Sequence, residues 1–312
     1  MKSKNCRICG TLYTSGLVFK EMMFGMRNEF PYGECSNCGC IQIVEVPQNI
    51  DKYYPPYYVS FTQKIPALKR LPFIKRLVKN ARIKRKYRRQ LNDPLLAYLK
   101  PTNILPGAKI LDIGCGKGDL MCKLFNLGFE NITGIDKFIS QPIDYGFGVE
   151  VLKKDLSELK SNTYDLLVMH HVLEHVDEQV KELKECYRLL KKGGMLLVSI
   201  PVLGAAWDIY KENWVQIDAP RHFVLHTLKS INMLAEKTGF EISETIFDSS
   251  DFQFWGSELY KKNIPLTVPD THEWYDPQQT FSAEEMLHFK KEAVMLNASQ
   301  KGDAARFYLH KI

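Results

Sequence analysis

The chain has 312 residues, of which 45% are hydrophobic and 25% are charged, and its formal net charge is +6. This composition excludes a disordered chain and a small disulfide-stapled one, because the chain is long enough to bury a large core. The apolar runs are too short to span a bilayer, and the first residues lack the apolar stretch of a signal peptide. We therefore expect a cytoplasmic protein without a transmembrane segment.

Residues 1–50 contain five of the eight cysteines. Four of these form two C-x-x-C pairs: Cys6, Cys9, Cys35 and Cys38. Four thiolates complete the tetrahedral shell of a structural zinc ion, and paired cysteines in a cytoplasmic protein more often bind metal than form disulfides. The paired spacing therefore predicts a zinc-binding ribbon rather than four unrelated buried thiols. Cys40 is a fifth thiol that lacks the partner spacing.

Residues 51–94 are predicted to connect the ribbon to the rest of the chain. The stretch DKYYPPYYVSF favours an extended backbone, because each proline disfavours helix at the residue before it. Residues 69–89 contain eleven Lys or Arg and no acid, with apolar residues at helical spacing. They predict a basic amphipathic helix. This helix could contact an anionic membrane surface, a nucleic acid or the pyrophosphate of a substrate.

Residues 95–312 show short apolar runs that alternate with longer segments. The runs are AKILDIG, NITGID, GVEVLKKD, YDLLVMH and MLLVSIP. This alternation predicts parallel strands joined by crossover helices, and thus an α/β sheet covered on both faces. A helix at 227–239, a strand in FEISETIF, a mostly helical insertion near 251–303 and a final strand in ARFYLHKI are predicted to complete the domain.

The first apolar run leads into a glycine loop that contains Gly114, Gly116 and Gly118. A dinucleotide-binding loop is the alternative, but Asp119 stands where its third glycine would be. Asp112 precedes the loop, and a carboxylate there would repel a pyrophosphate, which prefers free amides at a helix start. The carboxylate suits a ligand with an ammonium and a sulfonium group, namely S-adenosylmethionine (SAM).

Two further acids follow later strands. Asp136 lies 22 residues beyond Gly114, where an acid can accept hydrogen bonds from both ribose hydroxyls. Asp155 follows the third strand and is placed to meet an adenine amine, while Leu156 could cover the ring. Each acid alone is more often a helix cap or a surface residue. Three acids after three successive strands indicate a nucleoside site.

Taken in order, these motifs resemble those of the class I SAM-dependent methyltransferases over roughly residues 95–250. The resemblance implies a Rossmann-like α/β fold with a mostly parallel, seven-stranded sheet, here preceded by the zinc ribbon. It implies SAM as cofactor and the following binding residues: Asp112, Gly114, Gly116, Gly118, Asp136, Lys137, Asp155, Leu156 and His170. A ribbon before such a domain is similar to the arrangement in sugar C-methyltransferases of deoxysugar biosynthesis. A nucleotide-linked or lipid-linked sugar is therefore the expected acceptor.

Residues 164–176, YDLLVMHHVLEHV, place His171, Glu174 and His175 in the order H-x-x-E-H. On a helix this spacing is used by a class of zinc proteases. In the methyltransferase family the segment is instead the fourth strand and the loop beside the transferred methyl group. Ubiquinone-pathway O-methyltransferases show a similar segment that is thought to hold a divalent ion, although His171 stands where they have a glutamate. We expect Glu174 and His175 to line the following helix, with metal-assisted quinone methylation as the alternative.

Residues 205–226 are predicted to form a lid over the acceptor, with Trp207 and Trp214 as apolar walls. The alternative is a packing segment in which Asp218 pairs with Arg221. An acceptor hydroxyl or acidic carbon must lose a proton as it attacks, and histidine suits this task near neutral pH. The candidate catalytic residues, in order of preference, are His222, His175 and His171.

Two classes of function remain open. The first is methyl transfer to a small molecule, and the second is an RNA methyltransferase or RNA binder that uses the ribbon and the basic helix to contact phosphates. The fourth strand ends in Met169, His170 and His171, without the Asn-Pro-Pro-Tyr-like or paired-cysteine motifs of nucleic-acid methylases. This favours the small molecule.

Overall fold

The structure is a computed structural model that describes residues 4–58, 62, 65–68 and 94–312. The basic helix expected at 69–89 lies outside the described residues. Within these ranges, every helix is too short or too polar to cross a membrane.

Two β-sheets organise the described residues. The strands are β1 (Lys4–Asn5), β2 (Leu12–Lys20), β3 (Glu29–Glu34), β4 (Ile41–Ile43), β5 (Ile110–Ile113), β6 (Ile132–Ile135), β7 (Ile143–Asp144), β8 (Glu150–Leu152), β9 (Tyr164–His170), β10 (Leu190–Pro201), β11 (Val224–Leu225), β12 (Phe240–Phe247) and β13 (Ala304–Lys311). The helices are α1 (Pro94–Leu99), α2 (Asp119–Leu127), α3 (Gln179–Leu189), α4 (Ala205–Tyr210), α5 (Leu228–Thr238), α6 (Phe252–Lys261) and α7 (Ala283–Ala298).

The larger sheet has the order β12-β13-β10-β9-β5-β6-β8-β7. Its central strands, from β10 to β8, pair in parallel, as the alternation of strands and helices predicts. The Rossmann-like α/β class is confirmed. Among the described residues the sheet has eight strands rather than seven, because the two-residue strand β7 pairs antiparallel with β8 at one edge. A strand of two residues shows no hydrophobic alternation that could reveal it in the sequence.

The carboxyl ends of β5 and β9 form the natural ligand site of this sheet. The chain runs from β5 to β6 and β8 on one side, and β9 and β10 lie on the other. The strand order therefore reverses between β5 and β9, and ligands of open α/β sheets bind at such a reversal. Gly114 follows β5, and His171 follows β9 at this edge.

The predicted carboxy-terminal elements are present. The helix expected at 227–239 is α5, and Thr227 caps it by accepting a hydrogen bond at its Oγ1 from the Ser230 N–H at 3.0 Å. The final strand is β13, which lies antiparallel between β10 and β12. Helices α6 and α7 form most of the regular structure in the insertion between β12 and β13.

The smaller sheet has the order β1-β2-β3-β4-β11. Four of its strands come from the cysteine ribbon, but β11 comes from the segment that was expected to be a lid. Val224 pairs with Gln42, and the Ile43 N–H donates to the Phe223 carbonyl at 2.9 Å. Ribbon residues and residues of the larger sheet also belong to one hydrophobic cluster. The ribbon therefore packs as part of the main core.

Candidate active site

The glycine loop after β5 takes a backbone conformation that favours glycine. Gly114, Gly116 and Gly118 have φ values of +64°, +54° and +84°. A Cβ atom at Gly114 would lie 2.7 Å from Cγ2 of Val172. Gly114 is therefore required both for its backbone angle and for its close approach to the loop that follows β9.

Asp136 holds this loop from the end of β6. It is 7% exposed, and its two oxygens accept hydrogen bonds from the Gly116 N–H at 2.9 Å and the Phe138 N–H at 2.8 Å. A carboxylate can accept about four hydrogen bonds. The side chain can thus bind further hydroxyls while it fixes the loop.

A cleft with an empty volume of about 520 Å³ lies beside the loop. Its walls include Gly114, Asp136, Lys137, Phe138, Asp155, Leu156, Val172 and His175. Asp155 also caps a short helix by accepting a hydrogen bond from the Ser157 N–H at 3.1 Å, and this bond lowers the pKa of Asp155. The structure thus brings Lys137, Asp155 and Leu156 together in the cleft, and Asp155 has the capping role as well.

Asp112 lies beneath the loop and is 3% exposed. Removal from water, together with repulsion from Asp136, raises the pKa of Asp112 to about 8. A buried acid of this kind is stabilised in its charged form by a positive ligand group. Its environment therefore fits the cationic end of SAM.

A second cavity, with an empty volume of about 1360 Å³, lies at the ends of β9 and β10. Its walls include Met23, Tyr58, Gly114, His170, His171, His175, Ser199, Val215, Gln216, Asp218, His222, Asp248, Ser250, Phe252 and Leu266. Gly114 and His175 line this cavity and the cleft. The two spaces therefore meet at these residues, and molecules bound in them would be neighbours.

The H-x-x-E-H segment is not a continuous helix. His170 ends β9, His171 has a φ of +53°, and Leu173–His175 form a short 3-10 helix. His171 Nδ1 lies 3.1 Å from Oε1 of Glu174. The segment therefore lacks the helical face of the zinc proteases. His170, which was expected at the cofactor, lines the second cavity instead.

Glu174 and the histidines around it form a coupled buried group. Burial alone would raise the pKa of Glu174, but the hydrogen bond with His171 and the neighbouring imidazoles lower it to about 2. Burial would lower the pKa of His171, but Glu174 raises it. Burial lowers the pKa of His170 to about 4. Burial and the nearby imidazole of His222 lower the pKa of His175, also to about 4. His170 and His175 are therefore neutral near pH 7.

The rings of His175 and His222 lie with their centroids 4.8 Å apart. His175 Nδ1 lies 2.8 Å from the Arg221 carbonyl oxygen, and His222 Nδ1 lies 2.7 Å from that of Gln216. Because a carbonyl can only accept, each Nδ1 carries a proton, and in the neutral ring Nε2 has the lone pair. Both histidines therefore have a basic Nε2 available.

Glu174, His175 and His222 also form a set of possible metal ligands. One ligand atom from each lies within 4.8 Å of the others. Oε2 of Glu174 is buried and has no hydrogen-bond partner among the described residues. One carboxylate and two imidazoles are a donor set that fits a divalent transition metal.

The expected lid is a packed segment. Trp214 is fully buried and donates from Nε1 to Oδ2 of Asp303 at 2.9 Å, and Trp207 packs edge-on against Phe19 of the ribbon. Neither tryptophan is among the residues that line the second cavity, and their role as apolar walls of an acceptor site stays a prediction. Large aromatic rings gain most by full burial. Asp218 and His222 from the same segment do line the cavity.

The alternative pairing of Asp218 with Arg221 is present. Nη2 of Arg221 lies 2.5 Å from Oδ1 of Asp218, and both side chains are buried. A second partner, Glu21 of the ribbon, lies 2.8 Å from the same nitrogen. Sequence reasoning missed Glu21, because it is a single acid separated from Arg221 by 200 residues.

The four paired cysteines converge at one end of the ribbon, with one sulfur from each within 4.8 Å of the others. Sγ of Cys9 lies 3.4 Å from that of Cys35, and Sγ of Cys6 lies 3.6 Å from that of Cys38. Cys40 Sγ is also close, at 3.5 Å from Cys6 and 3.4 Å from Cys38. The donor set fits a four-thiolate zinc site with one additional thiol beside it.

Comparisons with known proteins agree with this fold. Residues 83–245 match the family model described as "Methyltransferase domain". Over 105 residues the chain is 31% identical to a ubiquinone biosynthesis O-methyltransferase of Pseudomonas savastanoi pv. phaseolicola. The aligned stretch covers 30% of this chain and 45% of that protein. Over 120 residues it is 30% identical to the enzyme of the same name from Xanthomonas campestris pv. campestris, with shares of 35% and 49%.

The chain spans about half the length of these curated relatives. A crystal structure of a SAM-dependent methyltransferase from Archaeoglobus fulgidus is similar over 76% of this chain and 94% of that one. Its sequence identity is 19% and its TM-score is 0.42.

Proposed function

We propose that this chain, which belongs to the methyltransferase domain family, transfers a methyl group from SAM to a small hydroxyl-bearing acceptor. The observation that carries the proposal is the meeting of the cleft and the second cavity at Gly114 and His175. A methyl donor in the cleft and an acceptor in the cavity would be in contact there. Such alignment is the main requirement of a displacement reaction between two bound molecules.

The cleft, together with the buried Asp112 that precedes its glycine loop, fits the parts of SAM. Asp112 and the glycine loop would receive the methionine end, and Asp136 would accept hydrogen bonds from the ribose hydroxyls. Asp155 and Leu156 would contact the adenine. SAM itself supplies a methyl group on a sulfonium whose leaving group needs no acid.

The second cavity supports a neutral, polyhydroxylated acceptor. Its carboxylates are paired: Asp218 with Arg221, and Asp248 with Arg306 at 2.8 Å. Its two neutral imidazoles, those of His170 and His175, and its serines offer hydrogen bonds without adding charge. We therefore favour a sugar, carried on a nucleotide or a lipid, as the acceptor.

His222 is the proposed general base. Its Nε2 lies 3.8 Å from Oδ2 of Asp218, which can stabilise the imidazolium once the acceptor proton has moved to Nε2. His175 has a pKa of about 4, which makes it a weaker base, and His171 is bound to Glu174. As the acceptor oxygen gains the methyl group, its proton passes to His222 and S-adenosylhomocysteine leaves.

The proposed function is tested by calorimetry. The protein is first saturated with S-adenosylhomocysteine and is then titrated with nucleotide-linked sugars, with free nucleotides as controls. We expect binding of a sugar conjugate that is weaker in His222→Ala, because His222 lines the cavity. Tighter binding of NAD than of SAM would contradict the assignment of the cleft.

A second candidate is quinone-type O-methylation assisted by a divalent ion. It is favoured by the donor set of Glu174, His175 and His222 and by the names of the curated relatives. Under this alternative, magnesium or a transition metal stimulates turnover of a catechol and a chelator abolishes it. Under the favoured proposal neither has an effect on the transfer step.

The hypothesis of RNA binding depends on residues 69–89, which lie outside the described residues. A steep salt dependence of binding to random RNA would support it.

We propose one structural zinc ion in the ribbon. Purified protein should contain about one zinc per chain by elemental analysis, because four thiolates form one closed site. Cys35→Ser should lose the metal, since the additional thiol of Cys40 lies beside Cys6 and Cys38 and cannot replace Cys35. Cys186→Ser, outside the ribbon, is the matched control and should retain zinc. An ordered ribbon in metal-free protein would contradict this proposal.

The pKa of Asp112 predicts a pH dependence of SAM binding. In the empty site the raised pKa of about 8 keeps Asp112 mostly protonated at pH 7. A bound cation favours the carboxylate and expels this proton, so affinity should rise by up to about tenfold per pH unit towards pH 8 and then level off. The measurement is calorimetry in buffers of different ionisation enthalpy. Asp112→Asn serves as the reference and should bind more weakly without this proton release. Equal proton release in both proteins would count against the assignment.

A further inference from the structure

Glu21 is a fully buried acid in the ribbon, just after β2. Its Oε1 accepts from the Phe24 N–H at 3.0 Å and its Oε2 from the Met26 N–H at 2.9 Å. Amide hydrogen bonds alone do not offset the cost of burying a charge, which needs an opposite charge. Nη2 of Arg221, at 2.8 Å, supplies it from 200 residues further along the chain.

Arg221 is fully buried and is held from three directions. Its Nε lies 3.0 Å from both oxygens of Asp218, and its Nη2 reaches Oδ1 of Asp218 and Oε1 of Glu21. Its Nη1 donates to the Tyr53 carbonyl at 3.1 Å. A planar guanidinium with all its sides occupied cannot turn without breaking several charge-assisted hydrogen bonds. Arg221 therefore fixes Asp218 relative to the ribbon.

Asp218 and His222 are linked in turn. The His222 N–H donates to the Asp218 carbonyl at 3.2 Å, and Oδ2 of Asp218 lies 3.8 Å from His222 Nε2. Tyr32, on β3 of the ribbon, donates from its hydroxyl to the His222 carbonyl at 2.9 Å. The ribbon thus reaches His222 by two routes, one through Arg221 and one through Tyr32.

The charges in this network do not cancel. Two carboxylates, those of Glu21 and Asp218, share one guanidinium. One negative charge therefore remains beside His222, whose Nε2 lies 3.8 Å from Oδ2 of Asp218. Without the charge of Glu21, Asp218 is the single counter-ion of Arg221 and is drawn away from His222.

We propose that Glu21 is a positioning residue for the acceptor site: through Arg221 it holds the Asp218 carboxylate beside His222, so that the cysteine ribbon sets the geometry of the base. This inference rests on the proposed function for the role of His222 in turnover. The physical link between ribbon and imidazole does not depend on the acceptor.

The test uses the full chain saturated with S-adenosylhomocysteine and labelled with ¹⁵N at histidine. The His222 resonances are identified by their loss in His222→Gln. Glu21→Gln keeps the side-chain volume and removes the charge, so the His222 ring resonances should shift or broaden while zinc content and S-adenosylhomocysteine affinity stay unchanged. Glu29→Gln is the matched control, because Glu29 is an exposed ribbon acid paired with Lys20 at 3.5 Å. It should leave the His222 resonances in place.

The remaining outcomes are also decisive. A purely structural role predicts that Glu21→Gln lowers the melting temperature but leaves the His222 resonances where they are, and this result would overturn the proposal. If Glu21→Gln does not fold, Glu21→Asp, which keeps the charge but shortens its reach to Nη2 of Arg221, should still shift those resonances, and unchanged resonances would overturn the proposal. Once an acceptor is known, Glu21→Gln should lower kcat about tenfold with KM for SAM unchanged, and Glu21→Asp should restore part of the loss. Full turnover in His222→Ala would instead refute the proposed function while the resonance result stands.

Discussion

Gly114→Val is expected to abolish methyl transfer and to weaken SAM binding by roughly a hundredfold or more. The residue has a φ of +64°, and its new Cβ would lie 2.7 Å from Cγ2 of Val172. The side chain would also project where the cleft and the second cavity meet. Binding is measured by calorimetry with SAM and transfer by the formation of S-adenosylhomocysteine.

Gly107→Val is the matched control for this variant. Gly107 precedes β5 in the same domain, and a Cβ there would meet no atom within 4 Å. The control should bind SAM like the unmodified protein. Normal SAM affinity in Gly114→Val would show that the cofactor does not bind against this residue, and the assignment of the cleft would be wrong.

His222→Ala is expected to lower turnover about a hundredfold or more at unchanged SAM affinity, because general-base catalysis contributes on this scale. His222 lines the second cavity but not the cleft, so the cofactor should not sense the change. The measurement is a steady-state assay with the acceptor found in the nucleotide-sugar screen. His175→Ala should cost less, since a pKa of about 4 makes His175 a poor base near neutral pH.

His288→Ala, on the exposed face of α7, is the control for loss of an imidazole as such. It should retain full turnover. If His222→Ala also retains it, the segment from 205 to 226 only packs against the ribbon, and a different group removes the proton.

The sequence predicts those features of the site that recur at strand ends. Asp112, Asp136 and Asp155 could be placed at one edge of the sheet because each follows or ends an apolar run and the carboxyl ends of parallel strands share an edge; their roles at the cofactor stay predictions. His170 shows the limit of this reasoning. It ends β9 and lines the second cavity together with His171, whose φ is +53°, so a position at a strand end does not by itself decide which cavity a side chain enters.

The features that the sequence did not predict depend on contacts between distant segments. Strand β11 has two residues, and it is a strand because it pairs with β4 rather than because of a local sequence pattern. Trp207 and Trp214 stand among polar residues, which suggested a lid over an acceptor, but Trp207 packs against Phe19 of the ribbon and Trp214 bonds to Asp303. Glu21 has no neighbouring motif, and its role is visible only beside Arg221. Local periodicity contains no information on such pairings.

The pairing of β4 with β11 has a consequence for biosynthesis. Residues 41–43 leave the ribosome long before Val224 and Leu225, so the nascent ribbon carries an open strand edge while most of the larger sheet is being made. An unpaired edge is a template for wrong partners. Closure of the ribbon's sheet must wait until Val224 and Leu225 have been made. A chain that stops before residue 224 therefore exposes this edge permanently, and a ribbon expressed alone lacks its last strand.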